Sequence, residues 1–221
     1  MQNSTANKPN VIGLLLAAGQ GSRFGGHKLR HVLDNGTAMG LQSALNLKET
    51  VDEVVCVVRP DDSVLIDIFK QHGFTTIENP EHLTGLSSSI RMGIQSRSDA
   101  DYWLIALGDM PYIQAKTYDA IARNVQNEES IAPNNRAIIR PYLKNEEGTD
   151  KKLAGHPVAF PNRYREQLLA LKGDKGAGAL FKNKSNDPNQ SPNENDKSTP
   201  DIHWLLVEDQ GILFDIDSRD E

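Results

Sequence analysis

The 221-residue chain has one cysteine, two tryptophans and no uninterrupted apolar run of 18 residues. The lone Cys56 excludes an internal disulfide framework, and its place in the apolar stretch 54–58 makes it a core side chain before a reactive one. Without a long apolar run, no membrane-spanning helix is expected. Positive charge is scarce as well: 24 Lys and Arg stand against 30 Asp and Glu, a net charge of −6. Nucleic acid and anionic membrane surfaces are not attracted to such a protein. The basic residues Arg23, His27, Lys28, Arg30 and His31 lie close together, and a local cluster of this kind in an acidic chain points to a small anionic ligand. The expectation is a cytoplasmic enzyme with a loose polar tail at 1–10 and a single domain over 11–221.

What is present is an apolar run at 11–17 that breaks into a glycine-rich loop ending at Lys28. The run suits a strand buried on both faces of a parallel sheet, with Gly13 as its one gap. Gly19, Gly21, Gly25 and Gly26 allow the backbone to turn sharply and bring N–H groups against an anion, while Arg23 and Lys28 add positive charge. The spacing does not match Gly, four residues, Gly-Lys-Ser/Thr, so a Walker A loop is excluded. A Gly-x-Gly-x-x-Gly dinucleotide fingerprint would need glycine where Phe24 stands, and Asp34 comes too early to read a ribose. Lys8, the apolar run and Ala17-Ala18-Gly19 imitate a short secretory signal, but the same run is needed as the first strand.

Further along, the pattern alternates. A helix capped by Thr37 is expected to about Leu47, a buried strand over 54–58, a helix over 61–70, a short strand over 74–78 and a helix from Gly85 to about Ser96. A buried strand over 103–107 and a helix over 114–126 follow. Alternation of this kind favours a parallel sheet with helices on both faces. At least one strand is expected within 131–142, a solvated hairpin insert at 145–152, a strand over 158–160, a helix over 162–171 and a short helical piece to Lys182. The polar stretch 183–200 cannot bury apolar surface and reads as a disordered insert. Two strands, 204–207 and 212–215, complete the chain.

Several polar residues in this scheme allow two explanations. Ser87, Ser88 and Ser89 can cap a helix or hold a ligand with hydroxyls and free N–H groups. Asp109, after a buried strand, is a turn residue or a cation ligand at the carboxyl edge of the sheet. His156, between Gly155 and Pro157, is a turn histidine or a presented side chain. Asp215 and Asp217 can be a plain acidic tail.

Taken together, Leu16-Ala17-Ala18-Gly19-x-Gly21-Ser22-Arg23-Phe24-Gly25-x-x-Lys28, Gly85-Leu86-x-Ser88, Leu107-Gly108-Asp109-Met110-Pro111, Gly155-His156-Pro157-Val158, Gly173-Asp174-x-Gly176-Ala177 and Asp215-Ile216-Asp217 resemble the MobA/MocA-like nucleotidyltransferases. The likeness is greatest to the molybdenum cofactor cytidylyltransferase branch and covers roughly 11–182 and 202–221. It implies a Rossmann-like, three-layer α/β fold with a mostly parallel sheet. It also implies transfer of CMP from CTP to the phosphate of molybdopterin or the molybdenum cofactor, with release of pyrophosphate and dependence on Mg²⁺. Arg23 and Lys28 would then be catalytic, stabilising the phosphates. Leu16, Ala17, Ala18, Gly19, Gly21, Arg59, Asn79, Gly85, Ser87 and Ser88 would bind the nucleotide. Asp109 and Asp217 would hold the metal, and Gly155, His156 and Pro157 would face the pterin acceptor. Ala18, where the guanylyltransferase branch carries a second glycine, leans toward CTP. Gly178 stands where the family has an arginine, and Arg219 where it has a proline. The alternatives are GTP-dependent transfer, a sugar or polyol phosphate acceptor, and a non-catalytic protein that binds a nucleotide or delivers the cofactor to a molybdoenzyme. A dinucleotide-dependent redox role is a minor fourth.

Overall fold

The first strand shows how this chain builds its layers. In a computed structural model that describes residues 8–128, 131–145, 152–181 and 200–217, β1 (Val11–Ala17) is buried along its whole length. Side chains alternate across a strand, so Val11, Leu15 and Ala17 enter one core and Ile12, Leu14 and Leu16 the other. Gly13 faces the first core, where a Cβ would come within 2.9 Å of Leu47, so the missing side chain lets the first helix approach closely.

Around β1 the chain winds in two directions. β2 (Glu53–Val58) and β3 (Thr75–Glu78) lie to one side, and β4 (Tyr102–Leu107) pairs on the other. The helices α1 (Met39–Lys48), α2 (Ser63–Gln71) and α4 (Ala115–Asn127) bury Leu47, Phe69 and Ile121 in the first core. The opposite face is covered by α3 (Leu86–Ser96) and α5 (Arg165–Leu169), through Ile90, Ile94 and Leu168. This is the expected three-layer α/β arrangement.

Beyond β4 the sheet turns mostly antiparallel. β7 (Val158–Pro161) pairs with β4, then comes β5 (Ile138–Lys144), flanked by β6 (Lys152–Ala154) and β8 (Ile202–Leu206), with β5 and β8 the parallel exception. The described strands make one eight-stranded sheet in the order β3-β2-β1-β4-β7-β5-β6, with β8 also on β5. Four of its seven pairings are parallel. Because β2 and β4 leave β1 in opposite directions, a crevice forms at the carboxyl ends of β1 and β4, where ligands gather in sheets of this type.

Some local expectations change. Thr37 does not cap α1: the helix starts after Ala38 with no side-chain cap, and Thr37 instead accepts the Leu33 N–H in a tight turn. A different residue, Asp62, caps α2 by accepting the Leu65 N–H at 3.1 Å. The helix over 162–171 is a 3-10 turn followed by the short α5. The strand at 212–215 does not form. Asp209 accepts the Gly211 N–H and starts a 3-10 turn over Gln210–Leu213, which drives Ile212 into the core instead of along a sheet edge. Most of the tail, the tip of the 145–152 hairpin, the 183–199 part of the insert and Arg219 lie outside the described residues. No helix among the described residues is long and apolar enough to cross a membrane.

Candidate active site

The glycine loop after β1 folds on itself. Gly21, Gly25 and Gly26 take left-handed φ values of 59°, 85° and 91°, and the Phe24 and Gly26 N–H groups both donate to the Gly21 carbonyl at 3.0 Å. Gly21 is constrained twice, since a Cβ there would also lie 2.8 Å from that of Lys28. Arg23 belongs to the same turn, Ser22–Phe24; its side chain is outside the described part of the structure.

Lys28 is buried at the floor of the loop. Its Nζ donates at 2.9 Å to Asp109 Oδ2 and at 2.9 Å to Asp217 Oδ1. Burial works against the ammonium, but these two carboxylates outweigh it and raise the Lys28 pKa above its ordinary value. The pairing joins the loop after β1, the end of β4 and residue 217.

Two anchors bring residue 217 there. Asp209 is fully buried and accepts from the Gln114 N–H at 2.9 Å and from Thr117 Oγ1 at 2.6 Å. Farther on, the Ile216 N–H donates to the Asp109 carbonyl at 3.1 Å. The same turn places Asp215 beside its neighbours, so that Asp109, Asp215 and Asp217 each offer an oxygen within 4.8 Å of the others. Burial, then the charges of Asp109 and Asp217, raise the pKa of Asp215. Three converging carboxylates are a hard-oxygen donor set that suits Mg²⁺ or Mn²⁺. Asp215 shows in the sequence as part of the Asp215-Ile216-Asp217 motif, with no ligand role assigned to it; its place in this cluster depends on a turn that periodicity does not indicate.

Above this floor lies a cavity of about 710 Å³ lined by Leu16, Ala18, Gly19, Gly21, Lys28, Gly85, Asp109 and Asp217, with His82, Ser89 and Asp174 at its side. Other expected nucleotide contacts are elsewhere. Asn79 is buried and donates to Ser88 Oγ at 2.8 Å and Ser89 Oγ at 3.1 Å. Ser88 Oγ in turn donates to the Gly85 carbonyl at 2.8 Å, and Ser87 is buried beneath. The serines thus build the start of α3, and Ser89, not Ser87 or Ser88, reaches the cavity wall. Arg59 sits behind the loop, donating to the Gln20 carbonyl at 3.4 Å and contacting His27 Nδ1 at 2.6 Å. Ala17 is buried within β1.

A second cavity, of about 770 Å³, adjoins the first and shares Leu16, Leu86, Leu107 and Asp174 with it. The segment 172–178 forms its outer wall, docked on α3: the Ser87 N–H donates to the Gly173 carbonyl at 3.2 Å. Gly85 makes the docking feasible, because a Cβ at its φ of 104° would collide with the Gly173 backbone. Arg91 adds a clamp to the Leu171 carbonyl at 2.9 Å. Two motifs almost 90 positions apart in sequence, Gly85-Leu86-x-Ser88 and Gly173-Asp174, therefore form one joint. Of the expected acceptor residues, His156 lines this cavity. Gly155 is buried where a Cβ would meet Ile212, and Pro157 is buried behind a cis peptide bond.

Residues 13–189 match the model of the MobA-like NTP transferase domain. The chain belongs to that family. Its fold is that of several solved structures. Rv0371c from Mycobacterium tuberculosis H37Rv superposes with a TM-score of 0.70 at 19% identity, over 96% of this chain and 95% of that one; a complex of Rv0371c with manganese gives 0.62 at 17% identity, over 90% and 88%. A nucleotidyl transferase from Methanothermobacter thermautotrophicus gives 0.69 at 18% identity, over 95% and 93%. The 4-diphosphocytidyl-2C-methyl-D-erythritol synthase of Anaerococcus prevotii gives 0.67 at 12% identity, over 99% and 95%. No curated protein matches the chain by sequence. The protein is a nucleotidyltransferase of the MobA-like kind, with a cluster of acidic side chains able to hold a divalent metal.

Proposed function

We propose that this protein transfers CMP from CTP to the phosphate of molybdopterin or the molybdenum cofactor in a Mg²⁺-dependent reaction. The observation that carries the reading is the Lys28 ammonium held between Asp109 and Asp217 on the floor of a glycine-walled cavity. In this reaction an oxygen of the acceptor phosphate attacks the α-phosphorus, the bond from that phosphorus to the bridging oxygen breaks, and pyrophosphate leaves. Two anions must meet, so charge compensation matters more than a base.

The triphosphate fits against the loop, with the Gly19 to Gly21 backbone at its edge and Arg23 and Lys28 neutralising the α-phosphate and the leaving group. Asp109 and Asp217, with Asp215, would hold Mg²⁺, which supplies positive charge to the nucleotide phosphates. Leu16, Ala18, Gly85 and Ser89 wall the nucleotide cavity. Asn79, Ser87 and Ser88 support that wall from behind, and Arg59 supports the loop. The acceptor enters from the side of His156. The resemblance to the cytidylyltransferase branch at Ala18 supports CTP, as does the diphosphocytidyl product in the name of the Anaerococcus neighbour. That name also favours one second reading, in which the acceptor is a polyol phosphate.

The test is thermal stabilisation by each NTP with Mg²⁺, followed by pyrophosphate release with each acceptor. A ligand that binds only the folded state at 100 times its Kd adds about 2.7 kcal/mol of stability, so selective binding shows in a melt. CTP should stabilise more than GTP, ATP or UTP, and pyrophosphate should appear only with a pterin phosphate present. Stabilisation by GTP alone would overturn the base assignment. Tight CTP binding without pyrophosphate under any acceptor would leave a binding or delivery protein.

A further inference from the structure

The second cavity contains a cation with no counter-charge among the described residues. Arg140, on β5, lines it. Its guanidinium carbon lies 4.6 Å from the centre of the Phe181 ring and 5.9 Å from that of Trp204, and its Nε makes a long hydrogen bond of 3.5 Å to the Gly155 carbonyl. Among the described residues no carboxylate pairs with it. Burial lowers its pKa, the sign of an ion taken out of water without compensation. Lys172 and Lys175 add positive charge at the rim, and Asp174 is the one acidic side chain in the lining. His156 lines the same cavity, and its Nδ1 is buried with no hydrogen-bond partner among the described residues.

The remaining wall is apolar: Ile90, Ile105, Leu107, Val158, Phe160 and Phe181. Phe160 and Phe181 stack with centroids 6.0 Å apart and planes 22° from parallel. A hydroxyl buried without a partner is costly, and this wall offers few partners. The volume of about 770 Å³ is nonetheless generous for a small ligand.

We infer that Arg140 is the anion-recognition residue of the acceptor site, and that this cavity selects a phosphate ester with an apolar or aromatic ring body over one with a polyol body. The role as an acceptor site rests on the transfer reading above; the binding preference does not. The apolar wall takes the ring, while Arg140 meets the anion at the end nearest His156.

The test uses the full chain and two probes, phenyl phosphate and glycerol 3-phosphate, read by tryptophan fluorescence. Trp103 is fully buried and Trp204 is not, so a signal that Trp204→Phe abolishes reports on the neighbourhood of Arg140. Phenyl phosphate should bind at least tenfold more tightly than glycerol 3-phosphate. Arg140→Ala should weaken it tenfold or more, and Arg140→Lys by less. Gly178 lines the same cavity, and a Cβ there meets nothing within 4 Å, so adding Gly178→Arg to Arg140→Ala should restore part of the binding. Lys28→Ala should leave it unchanged, because Lys28 lines the other cavity. Thermal melts confirm that each variant is folded. Equal binding by the wild type and a folded Arg140→Ala overturns the assignment of Arg140, as does loss of binding in Lys28→Ala alone. Equal affinity for the two probes overturns the ring preference. Pyrophosphate release is measured separately in the same protein; if it fails while phenyl phosphate binds as described, the transfer reading falls and the anion site stands.

Discussion

The two cavities are nearly equal in volume, about 710 and 770 Å³, and opposite in electrostatic design. In the first, the buried cation is matched before any ligand arrives: Lys28 is held by Asp109 and Asp217, with Asp215 alongside. In the second, Arg140 has aromatic rings against it and no carboxylate among the described residues. A site for a phosphate chain with its metal needs charges of both signs held ready, because ligand and metal bring both signs with them. A site for an anion alone is better left with its cation uncompensated, since each internal carboxylate would have to be displaced or repelled. One shared wall of Leu16, Leu86, Leu107 and Asp174 borders two different electrostatic tasks.

The sharpest break in that comparison is Asp109→Ala. It should lower pyrophosphate release by at least about a hundredfold, a loss of the size seen when a key electrostatic group at a reacting centre is removed, and chelation of divalent cations should have a similar effect. Phenyl phosphate binding in the second cavity should hardly change. Unchanged turnover in Asp109→Ala would sink the metal assignment.

A smaller effect, but one felt on both sides, is expected of Gly85→Ala. It places a side chain at φ 104° and against the Gly173 backbone, at a cost of about 1–3 kcal/mol for the strained backbone alone. Denaturant unfolding should show lower stability, and the affinities for CTP and for an acceptor should fall together. A fall in only one would mean that 172–178 does not couple the cavities.

Arg140→Ala should act on the second cavity alone, raising the acceptor KM severalfold with the CTP KM unchanged in steady-state kinetics.

The smallest effect is on pH dependence. Burial, then the nearby Arg140 charge, lowers the pKa of His156 to about 4, below the ordinary value of about 6.5 for an unfolded chain. The unfolded state therefore binds more protons between those values, and stability should fall as pH drops from about 6.5 toward 4. Denaturation midpoints at pH 7 and pH 5 should differ less in His156→Gln than in the wild type.

The parts of the fold that could be read from the sequence are those where one face or both must be apolar. β1, β2 and β4 are buried throughout or nearly so, and each shows as an unbroken apolar run. The glycine loop was legible for a related reason: positive φ at Gly21, Gly25 and Gly26 demands that residue type. What could not be read is which way a polar side chain turns. Asn79, Ser87 and Ser88 have the chemistry of ligand contacts, yet they hydrogen-bond inward and fasten the start of α3. Arg140 is one cation inside a strand; its separation from carboxylates among the described residues arises from tertiary packing. At 212–215 the apolar pattern suited a strand, but Asp209 captured the Gly211 N–H and turned the backbone. That buried carboxylate, together with the Ile216 N–H bond to the Asp109 carbonyl, thereby sets the position of Asp215 and Asp217.

Lys28 and Asp217 are 189 positions apart in sequence. Closing so large a loop has an entropic cost that local contacts do not carry, so the glycine loop and β4 can form long before residue 217 docks beside them. During synthesis Lys28 and Asp109 exist while Asp217 is still unmade. A partly made chain therefore lacks the full charge set around Lys28 until residue 217 has been made.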